Sequence, residues 1–266
     1  MTMAIWKKSK NKGTSYKTGI VLSGGGTRGF AHLGVLKALE ESDIKPDIIS
    51  SVSAGSIVGA LYADGKNPEE ILEALTSKKL LNYLVISIPK TGLVNMSGFE
   101  KTLKKLLKAQ KFEDLSIPLN VFAVNMNTAE YTCFDSGPLA IAVKASSSIP
   151  IIFPPVEINN ELFVDGGLIN NFPVEALENK CERLIGVSVN PLGIKKNLDN
   201  LKVIAERTFQ LNIRSHTMDR KDKCDLFIEP EGLDDYGLLD LSGAREIFDM
   251  GYKTAKKLIK EKGWQP

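Results

Sequence analysis

Short apolar runs alternate along the chain with longer segments in which apolar residues recur every three or four positions. The short runs predict buried strands near 18–23, 47–52, 119–126, 183–189 and 225–228. The longer segments predict helices near 29–42, 54–65, 68–77, 98–109, 138–147, 200–217 and 242–261. Strands and helices that alternate at this spacing are typical of an α/β fold with a largely parallel central sheet and helices on both faces.

The segment from Val156 to Val164 predicts a tight hairpin around Asn159 and Asn160 that places Asp165 at a strand end. In sheets of this class, sites form outside the carboxyl ends of the strands. The glycine loop at 24–29 and Ser53 both follow predicted strand ends, so we expect them to share one crevice.

An apolar strand pattern turns into a helical pattern at Ser53, which is the sequence form of a nucleophile elbow. A sharp strand-to-helix turn lifts the serine oxygen out of the backbone and points the next amides, here beginning with Ala54, at a developing oxyanion. Small residues must flank such a serine because the two backbones nearly touch, and here they are Ser51 and Gly55. Turns of small residues also occur with a purely structural role, so this motif alone does not establish catalysis.

The sequence Gly24-Gly25-Gly26-Thr27-Arg28-Gly29 links a predicted strand to a predicted helix. Backbone N–H groups there are bare and unpaired, which favours an anion site. The loop also fits the dinucleotide-binding pattern G-x-G-x-x-G. That fold uses an acidic residue at the end of the second strand to bind the ribose, whereas here the second strand ends at Ser53. No Gly-Lys-Ser/Thr follows, which excludes a phosphate-binding P-loop. We therefore interpret the loop as an oxyanion hole.

The triplet Asp165-Gly166-Gly167 ends another predicted strand. A carboxylate followed by two glycines is able to approach a second backbone closely. Taken alone, the triplet is equally typical of an ordinary Asp-Gly turn.

The composition narrows the functional classes. The chain has 266 residues and is 43% hydrophobic, enough for one α/β domain, which we place at 17–262 after a basic, disordered tail at 1–16. The net charge of +2 argues against a dedicated nucleic-acid binder. No apolar run is long enough to span a membrane, and the first residues lack a secretory signal. Three scattered cysteines and two histidines favour a reducing cytoplasm and predict no metal site.

Together, the three motifs resemble those of the patatin-like phospholipase family of serine acyl hydrolases, in the same order along the chain. The resemblance spans about Lys17 to Val189 and includes further segments at 31–36, at 145–150 with 153–155 after it, and at 171–174. It implies a three-layer α/β architecture and a bacterial-type Ser–Asp dyad. One departure is Ser51, which replaces the first glycine of the elbow and puts the rate and the acyl preference in question.

The resemblance implies Ser53 as the nucleophile and Asp165 as the direct general base, without a cofactor. It places the oxyanion hole at Gly24, Gly25, Gly26, Arg28 and Gly29, with Ala54 contributing. From their positions, His32 is expected in the core and His216 on a solvated surface, so neither is expected to act as the base.

The expected substrate is a lipid acyl ester, cleaved to a free fatty acid. A second hypothesis is acyl transfer to an alcohol or thiol, which would use the same residues. A third hypothesis is that the chain is a catalytically weak lipid-binding protein. The hydrophobic insert at 78–98 is either a lid or core packing, and the basic helix that follows leaves open a peripheral contact with a membrane surface.

Overall fold

The computed structural model describes residues 16–77, 97–194, 197–199, 201–237 and 241–264. The strands are β1 (Tyr16–Leu22), β2 (Ile48–Val52), β3 (Leu119–Asn125), β4 (Glu130–Phe134), β5 (Val156–Ile158), β6 (Glu161–Asp165), β7 (Cys181–Val187) and β8 (Leu226–Ile228). The helices are α1 (Phe30–Glu40), α2 (Ala54–Ala63), α3 (Pro68–Thr76), α4 (Ser97–Leu106), α5 (Leu139–Ser146), α6 (Leu201–Met218) and α7 (Ala244–Glu261).

The strands form one sheet whose hydrogen-bonded path runs β5-β6-β3-β2-β1-β7-β8, with β4 paired to β3. The neighbours from β3 through β8 on this path are parallel, which confirms the predicted α/β class with a mostly parallel central sheet. Strands β4 and β6 pair with β3 in the antiparallel sense. Strand β4 was not predicted, because its residues are at most half-buried and lack an apolar run.

The predicted hairpin is confirmed as β5 and β6, which pair on either side of Asn159 and Asn160. These two residues have φ angles of 53° and 65°. Asparagine tolerates this left-handed region better than most residues, which suits a two-residue hairpin turn.

The two faces of the sheet are covered unequally. On one face, alternate residues such as Ile20 and Leu22 of β1 join a large core with helices α1, α2, α3, α4, α5 and α7. On the other face, Val21 packs in a smaller core against the segment 172–177, which contains a short three-ten turn rather than a long helix. Side chains alternate between the faces because successive residues of a strand point to opposite sides.

Helices α1 and α7 cross at unusually close range. Gly34 of α1 lies directly against the backbone of Phe248, and Gly251 of α7 lies against the backbone of Ala31. A methyl group at either glycine would overlap with a carbonyl oxygen of the other helix. This contact holds α7, near the chain end, against the helix that follows the glycine loop.

The ends of strands β2 and β6 meet where both strands pair with β3. Val52, at the end of β2, pairs with Phe122, and Asp165, at the end of β6, pairs with the next residue, Ala123. Because β2 runs parallel to β3 and β6 runs antiparallel, the carboxyl ends of β2 and β6 converge here. Strand β4 pairs with residues 121–125 and therefore occupies the opposite edge of β3.

Two expectations fall largely outside the described residues: the basic tail at 1–16 and the hydrophobic insert at 78–98. Helix α4, which follows the insert, is amphipathic as expected, with Leu103 buried and Lys101, Lys104 and Lys105 exposed. Within the ranges that the structure describes, no helix is both long and apolar enough to cross a membrane.

Candidate active site

Ser53 occupies the single position between the end of β2 and the start of α2. Its φ and ψ angles are 52° and −125°, a conformation that a residue other than glycine adopts only under strain. Side-chain contacts hold it there: its N–H donates to Ser146 Oγ (2.9 Å), and its carbonyl oxygen accepts from Ser56 Oγ (2.6 Å) and Ser147 Oγ (3.3 Å). Gly55 is required because a side chain there would overlap with the carbonyl oxygens of Leu22 and Ser23 in the adjacent strand end.

The Ser53 side chain points directly at the predicted base. Ser53 Oγ donates a hydrogen bond of 2.5 Å to Asp165 Oδ2. The other carboxylate oxygen, Oδ1, accepts from the N–H of Gly167 at 2.8 Å. Both acceptor atoms of Asp165 are thus oriented, one by the candidate nucleophile and the other by its own turn.

Asp165 is only 1% exposed, and this burial raises the pKa of its carboxyl group to about 7. The hydrogen bonds from Ser53 and Gly167 stabilise the charged form and oppose the shift, but desolvation is the larger effect. A carboxylate with a pKa near neutrality is a much better proton acceptor than an exposed aspartate, while a large fraction of it is still ionised at pH 7.

The two positions after Asp165 require glycine for different steric reasons. A methyl group at Gly166 would come within 2.5 Å of the carbonyl oxygen of Phe122 on β3. At Gly167 it would come within 2.7 Å of Asn171 Oδ1 and 3.0 Å of Asp165 Oδ1. The turn therefore lies too close to its neighbours for any larger residue.

Ser51, which stands where the family has glycine, is fully buried and does not line the pocket. Its hydroxyl donates to the carbonyl oxygen of Asn120 at 3.1 Å, and it faces Gly59 of α2. The extra hydroxymethyl group is accommodated between β3 and α2, because Gly59 leaves room for it.

The first three glycines of the loop lie beside Ser53. A methyl group at Gly24 would come within 2.8 Å of Ser53 Cβ, and Gly25 and Gly26 line the same pocket as Ser53. Gly26 has a φ of 57°, in the left-handed region that favours glycine. The N–H groups of Gly25 and Gly26 donate to no acceptor among the described residues, so they are free to bind an anion.

The last part of the loop has a different position. Arg28 is 1% exposed, and its Nε donates to the carbonyl oxygen of Tyr236 at 3.1 Å. Gly29 packs against Ala54, where a methyl group would be 2.8 Å from the alanine Cβ. Neither residue borders the pocket, and these contacts fix the loop to its surroundings.

Neither histidine contacts the Ser53–Asp165 pair. His32 is fully buried in α1, its Nε2 lies 2.8 Å from the carbonyl oxygen of Ser23, and burial lowers its pKa to about 4. His216 is half-buried on α6, and its carbonyl oxygen accepts from Arg220. Both side chains are where the sequence places them, in the core and near the surface.

The pocket over the pair has a volume of about 250 Å³, including space open to solvent, and is bordered by Gly25, Gly26, Ser53, Ile149, Asp165, Asn171 and Ile213. Sequence reasoning did not identify Ile213, because its helix is far from every motif in the chain. It also gave no role to Ser146 or Asn171, although both lie in segments that carry the family resemblance. Within the described ranges, no group of three or more His, Cys, Asp or Glu side chains is placed to hold a metal ion.

The sequence model of the family described as "Patatin-like phospholipase" matches residues 20–178, which include the loop, the elbow and Asp165. The chain belongs to this family.

Curated relatives of this patatin-like chain are longer proteins. One is a patatin-like phospholipase domain-containing protein of Caenorhabditis elegans, 27% identical over 285 residues, a match that covers 93% of this chain and 21% of the relative. Another is lysophospholipase NTE1 of Debaryomyces hansenii, 26% identical over 274 residues, covering 91% of this chain and 18% of the relative. The chain thus spans about a fifth of the length of these two relatives.

A similar fold is found in a solved structure, VipD from Legionella pneumophila, with a TM-score of 0.55. That match covers 93% of this chain and 67% of VipD at 16% identity, so the likeness concerns the fold alone.

Burial of Asp165 predicts a pH-dependent cost to stability. Since folding raises the pKa of Asp165, the folded state binds the proton more tightly than the unfolded state does. Proton binding therefore stabilises the folded state at low pH, and this stabilisation is lost as the pH rises from about 4 through about 7. In Asp165→Asn the cost of ionising a buried carboxylate is absent. We expect the unfolding free energy of the variant, relative to wild type, to rise by roughly 1–4 kcal/mol between pH 4.5 and pH 8, measured by urea denaturation.

Ser53→Ala is the matched control for this measurement. It keeps the buried carboxylate but removes a hydrogen bond that stabilises its charged form, so the pH dependence of stability should persist or steepen. A constant difference between Asp165→Asn and wild type across this pH range would contradict the raised pKa.

Proposed function

We propose that this chain hydrolyses fatty-acyl esters of lipids, with Ser53 as the nucleophile and Asp165 as the general base. The observation that carries the proposal is the 2.5 Å hydrogen bond from Ser53 Oγ to a buried carboxylate whose pKa is about 7. A serine hydroxyl needs a neighbouring base to attack an ester at neutral pH, and among the described residues Asp165 is the titratable group that forms a hydrogen bond with it.

In the first half-reaction, Ser53 Oγ attacks the ester carbonyl carbon as its proton passes to Asp165 Oδ2. The carbonyl oxygen becomes an oxyanion, which the free N–H groups of Gly25 and Gly26, with that of Ala54 at the start of α2, stabilise. The tetrahedral intermediate collapses, the bond to the leaving alcohol breaks, and the alcohol departs with the proton from Asp165. The product is an ester between the acyl group and Ser53.

In the second half-reaction, Asp165 accepts a proton from water, whose oxygen attacks the acyl carbon. The second oxyanion occupies the same position as the first. Its collapse breaks the bond to Ser53 Oγ, which recovers its proton from Asp165, and a fatty acid is released. One carboxylate therefore serves both steps, and no histidine is needed.

A lipid substrate is supported by the surroundings of the pocket and by the relatives. Two isoleucines, Ile149 and Ile213, border the pocket. Nearby in the chain, Ile151 is 90% exposed, and Leu168 and Leu211 are more than a third exposed. Exposed apolar side chains that neighbour the residues of a site along the chain suit a substrate that brings its own apolar surface. The name of the Debaryomyces hansenii relative, lysophospholipase, is consistent with this class of substrate.

We further propose a peripheral contact with aggregated lipid, which the exposed side chain of Ile151 supports. Its φ of 72° is a rare and strained value for a β-branched residue, yet the side chain is left in solvent. It lies two residues after Ile149, which borders the pocket, so its backbone is within about 7 Å of that residue. Insertion of this side chain into a lipid surface would bring the pocket to its substrate.

Covalent labelling tests the nucleophile. A fluorophosphonate should add once per chain to wild type at Ser53, because its phosphoryl group resembles the tetrahedral intermediate, and it should not add to Ser53→Ala. Ser51→Gly, two residues away and buried, should label normally. Intact-mass and peptide mass spectrometry locate the adduct. Labelling at another serine, or none in folded wild type, would contradict the assignment.

Substitution of Asp165 tests the base. Asp165→Asn keeps the shape of the side chain but cannot accept the serine proton, so turnover of a lysophospholipid should fall by about 10²–10⁴. In wild type, acidification protonates Asp165, so kcat/KM should rise with pH and reach half its plateau near pH 7. His216→Gln is the control and should match wild type in both rate and pH profile. A folded His216→Gln or His32→Gln as inactive as Asp165→Asn would mean that a histidine is the base.

Ile151→Gly tests the contact with lipid. Glycine adopts the positive φ without strain, so stability should be equal or higher. Hydrolysis of lipid in vesicles should fall roughly 3- to 10-fold through lost apolar insertion, while hydrolysis of a soluble short-chain ester should be unchanged. Ile151→Leu, which keeps an exposed apolar group, is the control. Equal losses on both substrates would show that Ile151 acts on the pocket rather than at a surface.

A further inference from the structure

The carbonyl oxygen of Gly24 receives an unusual number of side-chain donors. Asn190 Nδ2 lies 2.6 Å from it, Ser23 Oγ 3.0 Å and Asn171 Nδ2 3.2 Å. A carbonyl oxygen has two lone pairs, so three donors within hydrogen-bond distance saturate it. The three side chains are each at most 2% exposed, which strengthens these contacts by excluding water.

The donors come from three separate parts of the chain. Ser23 precedes the glycine loop itself, Asn171 follows the Asp165 turn, and Asn190 follows the end of β7. Ser23 Oγ also accepts from the N–H of Val189 at 3.1 Å, which ties the loop to the segment that carries Asn190. The position of Gly24 is thus set jointly by the loop, by the base-bearing turn and by a neighbouring strand end.

A carbonyl held in one direction fixes the N–H on the other side of the same peptide plane. The peptide between Gly24 and Gly25 is trans, so the Gly24 oxygen and the Gly25 N–H point in opposite directions. Flanking glycines would otherwise let this peptide flip, and a flipped peptide would turn an oxygen, rather than an N–H, toward a negative charge. Donors that saturate the oxygen stabilise one of the two orientations.

Asn190 has a feature that a purely structural role does not explain. It is 2% exposed, and its Oδ1 has no hydrogen-bond partner among the described residues. Burial of an amide with an unpaired oxygen costs stability. An apolar side chain of the same size would avoid this cost but would lack the donor that Asn190 supplies to the Gly24 carbonyl oxygen.

We propose that Asn171 and Asn190 are positioning residues of the oxyanion hole, which clamp the Gly24 carbonyl oxygen and thereby hold the Gly25 N–H toward the developing charge on the substrate. The proposal rests on the proposed hydrolysis by Ser53. Asn171 has a second consequence: its Oδ1 lies beside Gly24 and Gly167, so it also sets the spacing between the oxyanion loop and the turn that carries Asp165.

The test separates ground-state binding from stabilisation of the oxyanion. Asn190→Leu keeps the side-chain volume and removes the donor together with the unpaired oxygen, so it should fold. We expect its kcat on a lysophospholipid to fall about 10- to 100-fold, somewhat less than the loss of a direct oxyanion donor. KM should stay within about twofold, since the clamp contributes to the charged intermediate rather than to substrate binding.

A second readout uses inhibitors. A long-chain trifluoromethyl ketone forms a tetrahedral adduct with Ser53 and places an oxyanion in the hole, so its inhibition constant should rise by the same factor as kcat falls. A non-hydrolysable ether analogue of the substrate forms no oxyanion and should bind as it does to wild type. A general loss of structure would weaken both inhibitors alike.

Ser188→Ala is the matched control. Ser188 is fully buried two residues before Asn190, and its Oγ makes no hydrogen bond within the described residues, so its removal should leave kcat and both inhibitors unchanged. If Asn190→Leu does not fold, Asn171→Ala and Asn190→Ser are measured in its place. A folded clamp variant with wild-type kcat and wild-type ketone inhibition would overturn the proposal.

The same experiment separates this failure from failure of the proposed function. If wild type neither hydrolyses the lysophospholipid nor forms the ketone adduct at Ser53, the hydrolase assignment itself is wrong. If wild type does both and the asparagine variants do so equally well, hydrolysis stands and only the clamp is refuted.

Discussion

The hydrogen bond between Ser53 Oγ and Asp165 Oδ2 depends on two strand ends, those of β2 and β6, that lie together in a buried position. A carboxylate that is 1% exposed is costly to ionise, and the same burial brings its pKa to about 7. An exposed aspartate at the same distance would be ionised but a weak base. The site therefore combines the short serine contact with enough desolvation to raise the proton affinity of the carboxylate.

The sheet provides this arrangement through the register of β3. Consecutive residues of β3 pair with Val52 and with Asp165, so a parallel and an antiparallel neighbour deliver their carboxyl ends to one place. Glycines are needed where backbones then crowd together. Gly55 faces the end of β1, and Gly166 faces β3. The small residues of the motifs are thus consequences of strand convergence and not independent signals.

Strain and buried polarity are concentrated around the same few residues. Ser53 has a positive φ, and Asn190 buries an amide oxygen that finds no partner among the described residues. Such features lower stability unless the surrounding contacts compensate, and they are typical of sites where geometry matters more than stability. In this chain the compensating contacts come from Ser146, Ser56 and the donors that surround the Gly24 carbonyl oxygen.

The sequence alone was sufficient for the α/β class, for the hairpin before Asp165 and for the three motifs, because each is a local pattern of spacing and residue size. It could not assign the partly exposed strand β4, which lacks an apolar run, or the contribution of Ile213 to the pocket. Tertiary structure also decided the surroundings of Ser51, whose hydroxyl is accommodated against Asn120 beside Gly59. The pKa of Asp165 and the three donors to Gly24 depend on segments far apart in the chain, so only the folded packing determines them.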